Sequence, residues 1–556
     1  MPVGIGQLSR LQNLNTFVVG KGKNSSEIYE LTNIVRMSEN LIIRGIANVM
    51  DPDEVCRTCL KQKANLQTLE LDWRTNDEDK VNAQTEHAVL NGLEPPSGIR
   101  NLHIAGYADG KYAQWMLKQV GAGEGVHQFP FLTVLKLSDF PNMKHLEGLV
   151  ELPCLEHLEL SRLTSLESIN GGPFPSLMKL VTDGLPRLEE VWMVTEMNLG
   201  NEKGKMQIGT CLSDIHIIGC TKLLVKPYFP SSLQRLLLEG SNEQLLQSPG
   251  QGQGSSSSSS FPSSFSFSHL KELTLRKMVI SSSGSPPPLG LQSGCGWVLL
   301  QQMTALESLE ISKCNGLTEL PESMRSLTSL QSLNIYSCSA LGMLPEWLQE
   351  LQSLQKLSIT YCHSLTSLPQ SMGQLLSLQQ MIIDSCDSLS SIPQSVDQLC
   401  SLQEMIIERC PTVNSLPRSF DRLCSLQKLT IGGYRSMESL PQSLGHIISL
   451  KSLVIAWCTK LRLLPECLGE LLSLCRLEIT GLDALTCLPQ SMGRLSSLEE
   501  LSISYCRLLT SLPEQIQGLT ALQQLGIYNC PDLKRRYDRN KVDWHVIAHI
   551  PRVYIY

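Results

Sequence analysis

The sequence predicts an α/β repeat solenoid, with a parallel β-ladder on its concave face and irregular or short helical segments on its convex face. Two periodic features carry that expectation. Leucine returns at 306, 330, 354, 378, 402, 426, 450, 474, 498 and 522, every 24 residues without slippage. A Leu-Pro or Ile-Pro step recurs in the same phase, at Pro321, Pro345, Pro369, Pro393, Pro417, Pro441, Pro465, Pro489 and Pro513. A fixed period of this length marks stacked units, none of which buries its apolar face alone. The 556 residues, which at roughly 150 per domain suggest three or four globular domains, therefore read as one elongated array.

Each copy has a physical grammar. The first runs Leu306, Leu309, Ile311, Cys314, Leu317, Leu320-Pro321, Met324, Leu327. Leu309 and Ile311 are two apart and share one face of a short strand, while Glu310 points to the other. The proline forbids continued pairing and starts the return segment. Ten such strands at about 4.8 Å spacing give a ladder about 45 Å across. The phrase L-x-x-L-x-I-x-x-C-x-x-L resembles the leucine-rich repeat, whose fold is a horseshoe with strands lining the concave side. Cys314, Cys338, Cys362, Cys386, Cys410, Cys458, Cys506 and Cys530 hold one repeat position, with Tyr434 and Leu482 in their place twice. A small, apolar thiol that donates weakly suits an inward turn.

Along the chain, residues 1–65 read as the start of the repeat region, with Leu8, Leu11 and Leu14 already in repeat-like phase. Residues 66–249 carry irregular repeats: Leu66-x-x-Leu69-x-Leu71, Ile99-x-x-Leu102-x-Ile104, Leu132-x-x-Leu135-x-Leu137, Leu155-x-x-Leu158-x-Leu160, Leu212-x-x-Ile215-x-Ile217 and Leu233-x-x-Leu236-x-Leu238. Residues 250–300 are Ser/Gly/Pro-rich excursions, including Ser255 to Ser260 and Ser281 to Pro288, around one strand at 270–275. The regular repeats fill 301–532. Residues 533–556 leave the phase, and Trp544, Ile547, Ile550, Val553 and Ile555 read as a cap over the last turn.

The blocks MPVGIGQLSRLQNLNTFVVG, LIIRGIANV and KANLQTLELDW, the repeated SLP steps and the closing DWHVIAHIP together resemble the repeat region of plant nucleotide-binding leucine-rich-repeat disease resistance proteins of the coiled-coil class. The resemblance covers essentially the whole chain. It implies an intracellular immune receptor whose repeats sense a pathogen effector or an effector-modified host protein, with a nucleotide-binding domain in cis as a further partner. G-x-x-x-x-G-K-[ST] is absent: Gly20-Lys21 and Gly22-Lys23 run into Asn24, and Gly110-Lys111 into Tyr112. The chain therefore reads as beginning inside a solenoid, either a fragment of a longer receptor or a truncated relative acting as a free-standing cytosolic scaffold or decoy.

Composition and motifs narrow the chemistry. Hydrophobic residues make up 42% and aromatics 5%, with a net charge of −7, which argues against a broad nucleic-acid footprint. No run of about 18 apolar residues occurs, so no membrane span is expected. With no basic-then-apolar leader, the nineteen cysteines read as reduced thiols and the compartment as cytoplasmic, the nucleus being the alternative. Asn24-Ser25-Ser26 is a solitary glycosylation sequon. Gly121-x-Gly123-x-Gly125 lacks the strand-to-helix setting of a nucleotide site. Cys56-x-x-Cys59 has no second pair, and His545 and His549 lack the glutamate of a zinc-protease motif. Lys534, Arg535, Arg536, Arg539 and Lys541 alternate with Asp538 and Asp543 as a solvated surface. No catalytic, metal or cofactor-binding residue is assigned, and a protein-binding role is expected.

The candidate partner face is the outward side of the ladder. In the two columns before the cysteine it comprises Tyr336, Tyr361, Asp384, Glu408, Arg409, Trp457, Tyr505 and Tyr528. Ile382, Ile406 and Val454 in the middle column are expected to be exposed and apolar. Aromatic residues and arginine dominate binding hot spots, although strands also favour aromatic and β-branched residues for their own sake.

Overall fold

The computed structural model describes residues 1, 3–8, 14–21, 25–34, 38–74, 83–116, 129–147, 152–170, 174–192, 211–226, 229–247, 267–279, 297–538, 541 and 543–556. Leu11, Gly22 to Asn24, the Gly121–Gly125 run, Ser255–Ser260, Ser281–Pro288 and Arg539 lie outside them. The chain divides into two units, Met1–Lys271 and Glu272–Tyr556. Both are built from parallel strands in repeat order, the leucine-rich-repeat solenoid.

In the second unit every leucine phrase becomes a five-residue strand, from Glu272–Arg276 and Ser308–Ser312 through to Gln524–Tyr528. Neighbours pair in parallel with no register slip, so Leu309 lies beside Leu333 and Ile311 beside Ile335. The same pairing continues through Met381 and Met405 to Leu501 and Leu525. These inward side chains are all buried. Period two in the strand therefore sends two side chains per turn into one continuous aliphatic stack.

Each repeat proline ends the extended segment and supplies the carbonyl that opens a short 3-10 helix. Pro321 precedes Glu322–Ser326 and its carbonyl accepts from the Met324 amide at 3.0 Å. The pattern repeats at Glu346–Glu350, Gln370–Gln374, Gln394–Gln398, Gln442–His446, Glu466–Glu470, Gln490–Arg494 and Glu514–Gly518. The turn after Pro417 differs: no helix forms between Pro417 and Leu426.

The cysteine column behaves as the spacing requires. The Cys338 thiol reaches the Ile311 carbonyl of the preceding strand at 3.7 Å, as Cys386 reaches Ile359 at 3.8 Å and Cys530 reaches Ile503 at 3.7 Å. Tyr434 occupies the column with a hydroxyl and donates to the equivalent Ile407 carbonyl at 2.9 Å. Burial pushes the Cys362 and Cys458 thiols up to about 11, so they stay protonated and donate.

After the last repeat, helix Pro531–Tyr537 and a 3-10 turn at Trp544–Val546 bury Leu533, Tyr537, Val546, Ile547 and Ile550. The cap then does more than cover. Arg552–Ile555 adds a further parallel strand beside Gln524–Tyr528, which leaves Val553 and Ile555 half-buried. His545 and His549 are exposed, and no group of metal-ligating side chains occurs among the described residues.

The first unit contains every strand its phrases predict, with three more at Thr16–Val18, Asn40–Arg44 and Lys179–Asp183. Its strands run parallel in chain order to Arg235–Glu239. A second parallel sheet, unforeseen from the sequence, joins His145–Glu147, Ser168–Asn170, Glu190–Trp192 and Leu224–Lys226. Cys56 ends a helix, Pro52–Cys56, whose first turn is capped by the Asp51 carboxylate. The position that cysteine takes in the second unit holds Cys220 here too, and elsewhere Tyr107 and Phe140, whose rings meet edge to face at 5.6 Å.

Candidate functional site

The ladder of the second unit presents three columns outward, and the structure corrects how two of them are built. The residue just before each cysteine is not in the strand. Tyr361, Arg409, Trp457 and Tyr505 have left-handed backbones, with φ of 57°, 51°, 56° and 55°. Their amides nevertheless extend the ladder: Tyr361 donates to Asp384 at 2.9 Å, Arg409 to Gly432 at 3.0 Å, Trp457 to Thr480 at 2.7 Å and Tyr505 to Tyr528 at 2.9 Å. Side chains are thus carried on a bend whose amides stay bonded to the next rung.

These bends give the most exposed part of the predicted face. Trp457 is 50% accessible, Tyr505 44%, Tyr361 38% and Tyr336, at the end of its strand, 37%. They form two aromatic groups. Tyr336 and Tyr361 meet edge to face at 5.5 Å. Trp457 and Tyr505 lie 5.7 Å apart, two turns from one another. Between them Gly481, at φ 66°, has no side chain, and a Cβ there would fall 2.3 Å from the Trp457 ring. Glycine lets the indole lie across the intervening rung.

The middle column departs from expectation. Ile382 and Ile406 are paired side by side and Val454 lies next to Thr430 and Glu478, and all three are half-buried, not exposed. Strands only about 4.8 Å apart make each side chain cover its neighbours.

Asp384 also departs, being 9% accessible. Its carboxylate accepts from Arg409 Nε at 2.6 Å and pairs with Nη2, and the Ser385 hydroxyl donates at 3.1 Å. The Asp384 pair holds the Arg409 guanidinium in its charged form, while most of that side chain stays in solvent. Asp384 therefore acts by orienting Arg409.

Glu408 is half-buried on the adjoining strand. Burial raises its pKa, and the neighbouring Asp384 and Glu478 carboxylates raise it further, against a lowering by Arg409. Next to it the rung Gly432–Gly433 has no side chains, and Ala456 follows in register with Gly432. Arg409 leans toward Asp384 and Trp457 toward Gly481, so this bare rung, with Gly432 buried and Gly433 half-buried, lies between a cation and an indole. Sequence reading missed this bare rung; its signal was glycine at both 432 and 433. Tyr528 is half-buried because its ring stacks on Tyr556 at 5.6 Å and 6°.

The comparisons with known proteins agree with this architecture. The family described as R13L1/DRL21 leucine-rich repeats matches residues 28–163. The disease resistance protein RGA2 of Solanum bulbocastanum is 29% identical over 155 residues, 28% of this chain and 15% of that protein. RGA1, a disease-resistance relative from the same plant, is 29% identical over 185 residues, 32% and 18% of the two chains. The Arabidopsis thaliana disease resistance RPP13-like protein 1 is 26% identical over 274 residues, 42% and 25%. The chain is similar to the leucine-rich-repeat regions of plant disease resistance proteins.

The chain spans no more than a quarter of the length of those relatives. A solved leucine-rich-repeat protein of Leptospira interrogans is similar with a TM-score of 0.47 and 18% identity, covering 89% of this chain and 97% of that one. No helix among the described residues is long and apolar enough to cross a membrane.

Proposed function

We propose that this repeat region is the protein-recognition part of a plant intracellular immune receptor, sensing a pathogen effector or an effector-modified host protein from the cytoplasm or nucleus. A nucleotide-binding domain in cis is its second partner in a longer receptor. The role is binding, not catalysis. One observation carries the reading: Tyr336, Tyr361, Trp457 and Tyr505 stay exposed on a rigid ladder face where the fold makes no use of them. Large, half-rigid side chains on a preorganised scaffold lose little entropy on docking. The test is a pull-down from plant tissue with the native chain beside a Tyr361→Ala/Trp457→Ala variant. The variant is expected to lose the partners that the native chain retains; identical partner sets would remove the binding face from this surface.

The charge pattern makes a second prediction. Glu408 has a raised folded-state pKa, so its charged form opposes folding at neutral pH and stability rises as the pH falls through that pKa. Glu408→Gln is therefore expected to stabilise the isolated chain at pH 7 by no more than about 1 kcal/mol. The gain should vanish below the ordinary carboxylate value of 4.5, where the native side chain is neutral in both states. Urea midpoints at both pH values measure it, and equal gains at the two would rule out the ionised form as the cause.

A further inference from the structure

Away from the ladder, the residue between the last buried leucine of each turn and the next strand forms its own exposed row. Leu376, Cys400, Cys424, Ile448 and Leu472 occupy it in five consecutive turns. Leu376, Ile448 and Leu472 are 49%, 68% and 56% accessible, and both cysteines are exposed. The two thiols are successive occupants of one position. Cys424 Sγ lies 3.7 Å from the Cys400 carbonyl oxygen, which places it against the neighbouring cysteine's own backbone. Just downstream the strands are locked in register, Glu404 beside Lys428, with the Gln427 amide on the Gln403 carbonyl at 2.8 Å. Cys400 and Cys424 lie in the turns that lead into these strands, whose spacing of about 4.8 Å is within the roughly 4.4–6.8 Å Cα separation that a disulfide bridges.

We propose that Cys400 and Cys424 form an oxidative modification site, a vicinal dithiol that a peroxide converts to a disulfide between consecutive turns. One thiolate attacks a peroxide oxygen: the S–O bond forms, the O–O bond breaks, and the departing hydroxide leaves as water after taking a proton. The second thiolate attacks the sulfenic sulfur, forming S–S and breaking S–O, and the oxygen leaves as a second water. Two thiols thus lose two protons and two electrons, and the peroxide is reduced to two waters.

Two contrasts make the site selective. Cys386 and Cys410 sit on the same two turns and are fully buried, out of reach of an oxidant. Cys154, Cys211 and Cys487 are exposed, and no cysteine of the neighbouring turns shares their repeat position; Cys56, exposed, and Cys59, half-buried, lie three apart on one turn, so a link between them would join no two turns. The bridge also falls on the turn that forms no helix after its proline.

The experiment treats the full reduced chain with about stoichiometric hydrogen peroxide, then maps it by non-reducing proteolysis and mass spectrometry, with dimedone present in a parallel sample. The expected result is a cross-linked peptide pair carrying Cys400 and Cys424, lighter by two hydrogens and released by dithiothreitol. Cys400→Ser and Cys424→Ser should each abolish the pair and leave the remaining cysteine as a dimedone adduct. Cys386 and Cys410 should stay reduced. Oxidation of Cys154 or Cys211 without the Cys400–Cys424 link would overturn the proposal. So would a link that forms only in urea, or only between two chains.

Discussion

Tyr434→Ala is expected to destabilise the second unit by about 3–5 kcal/mol. The side chain is fully buried, and burial pushes its hydroxyl far above the ordinary tyrosine range, so it remains a donor. Alanine would leave both a cavity between turns and an Ile407 carbonyl without its 2.9 Å donor. Tyr434→Cys offers a sharper comparison, because it installs the residue that most other turns use. Its thiol can reach the Ile407 carbonyl as Cys386 reaches Ile359, but the volume lost is nearly the same. If the hydrogen bond dominates, cysteine should recover most of the loss; if the cavity dominates, it should recover little, and we expect the latter. Urea denaturation gives the total, and hydrogen exchange should place the loss in the turns flanking 434. An alanine variant with an unchanged midpoint would refute the packing argument.

The second large effect is steric. At Gly373 a Cβ would lie 2.3 Å from the Ser395 carbonyl oxygen and 2.9 Å from its carbonyl carbon, both backbone atoms of the next turn. Backbone cannot rotate away, so Gly373→Val should force two turns apart at a cost of about 2–3 kcal/mol. Gly342 is the internal control, with nothing within 4 Å of its Cβ position. Valine there should change stability by less than about 0.5 kcal/mol. Matching urea midpoints for the two valine variants would show that stacking of the convex segments does not limit stability.

How far the sequence could be read depended on phase. Where leucines recurred every 24 residues, strand, inward stack and proline turn followed from period-two geometry alone, and Leu309, Ile311 and Cys314 lie where that logic places them. The second sheet of the first unit was not legible. His145–Glu147 and its partners are three-residue strands, too short to show an alternation. The strand after Pro551 was hidden because Val553 and Ile555 alternate in a segment that otherwise breaks the repeat. At the candidate face, residue identity was readable and exposure was not. Asp384 looked like a free carboxylate, and only the fold shows Arg409 folded onto it. Tyr361, Arg409, Trp457 and Tyr505 have no preference for left-handed backbone, so their bend was signalled only by Gly433, Gly481 and Asn529 in the same column.

That bend separates what the protein holds together from what it shows to others. Each left-handed residue gives its amide to the next rung and turns its side chain away from the aliphatic stack, so the column carries glycine, serine, tyrosine, arginine and tryptophan on one backbone course. Exchange along the column alters the outer surface while the Leu/Ile stack and the cysteine turn stay untouched, at a backbone cost of about 1–2 kcal/mol for any non-glycine residue. A lineage can therefore rewrite this outer surface one rung at a time, drawing on a fixed allowance of strain already met by the ladder, with no compensating change in the core.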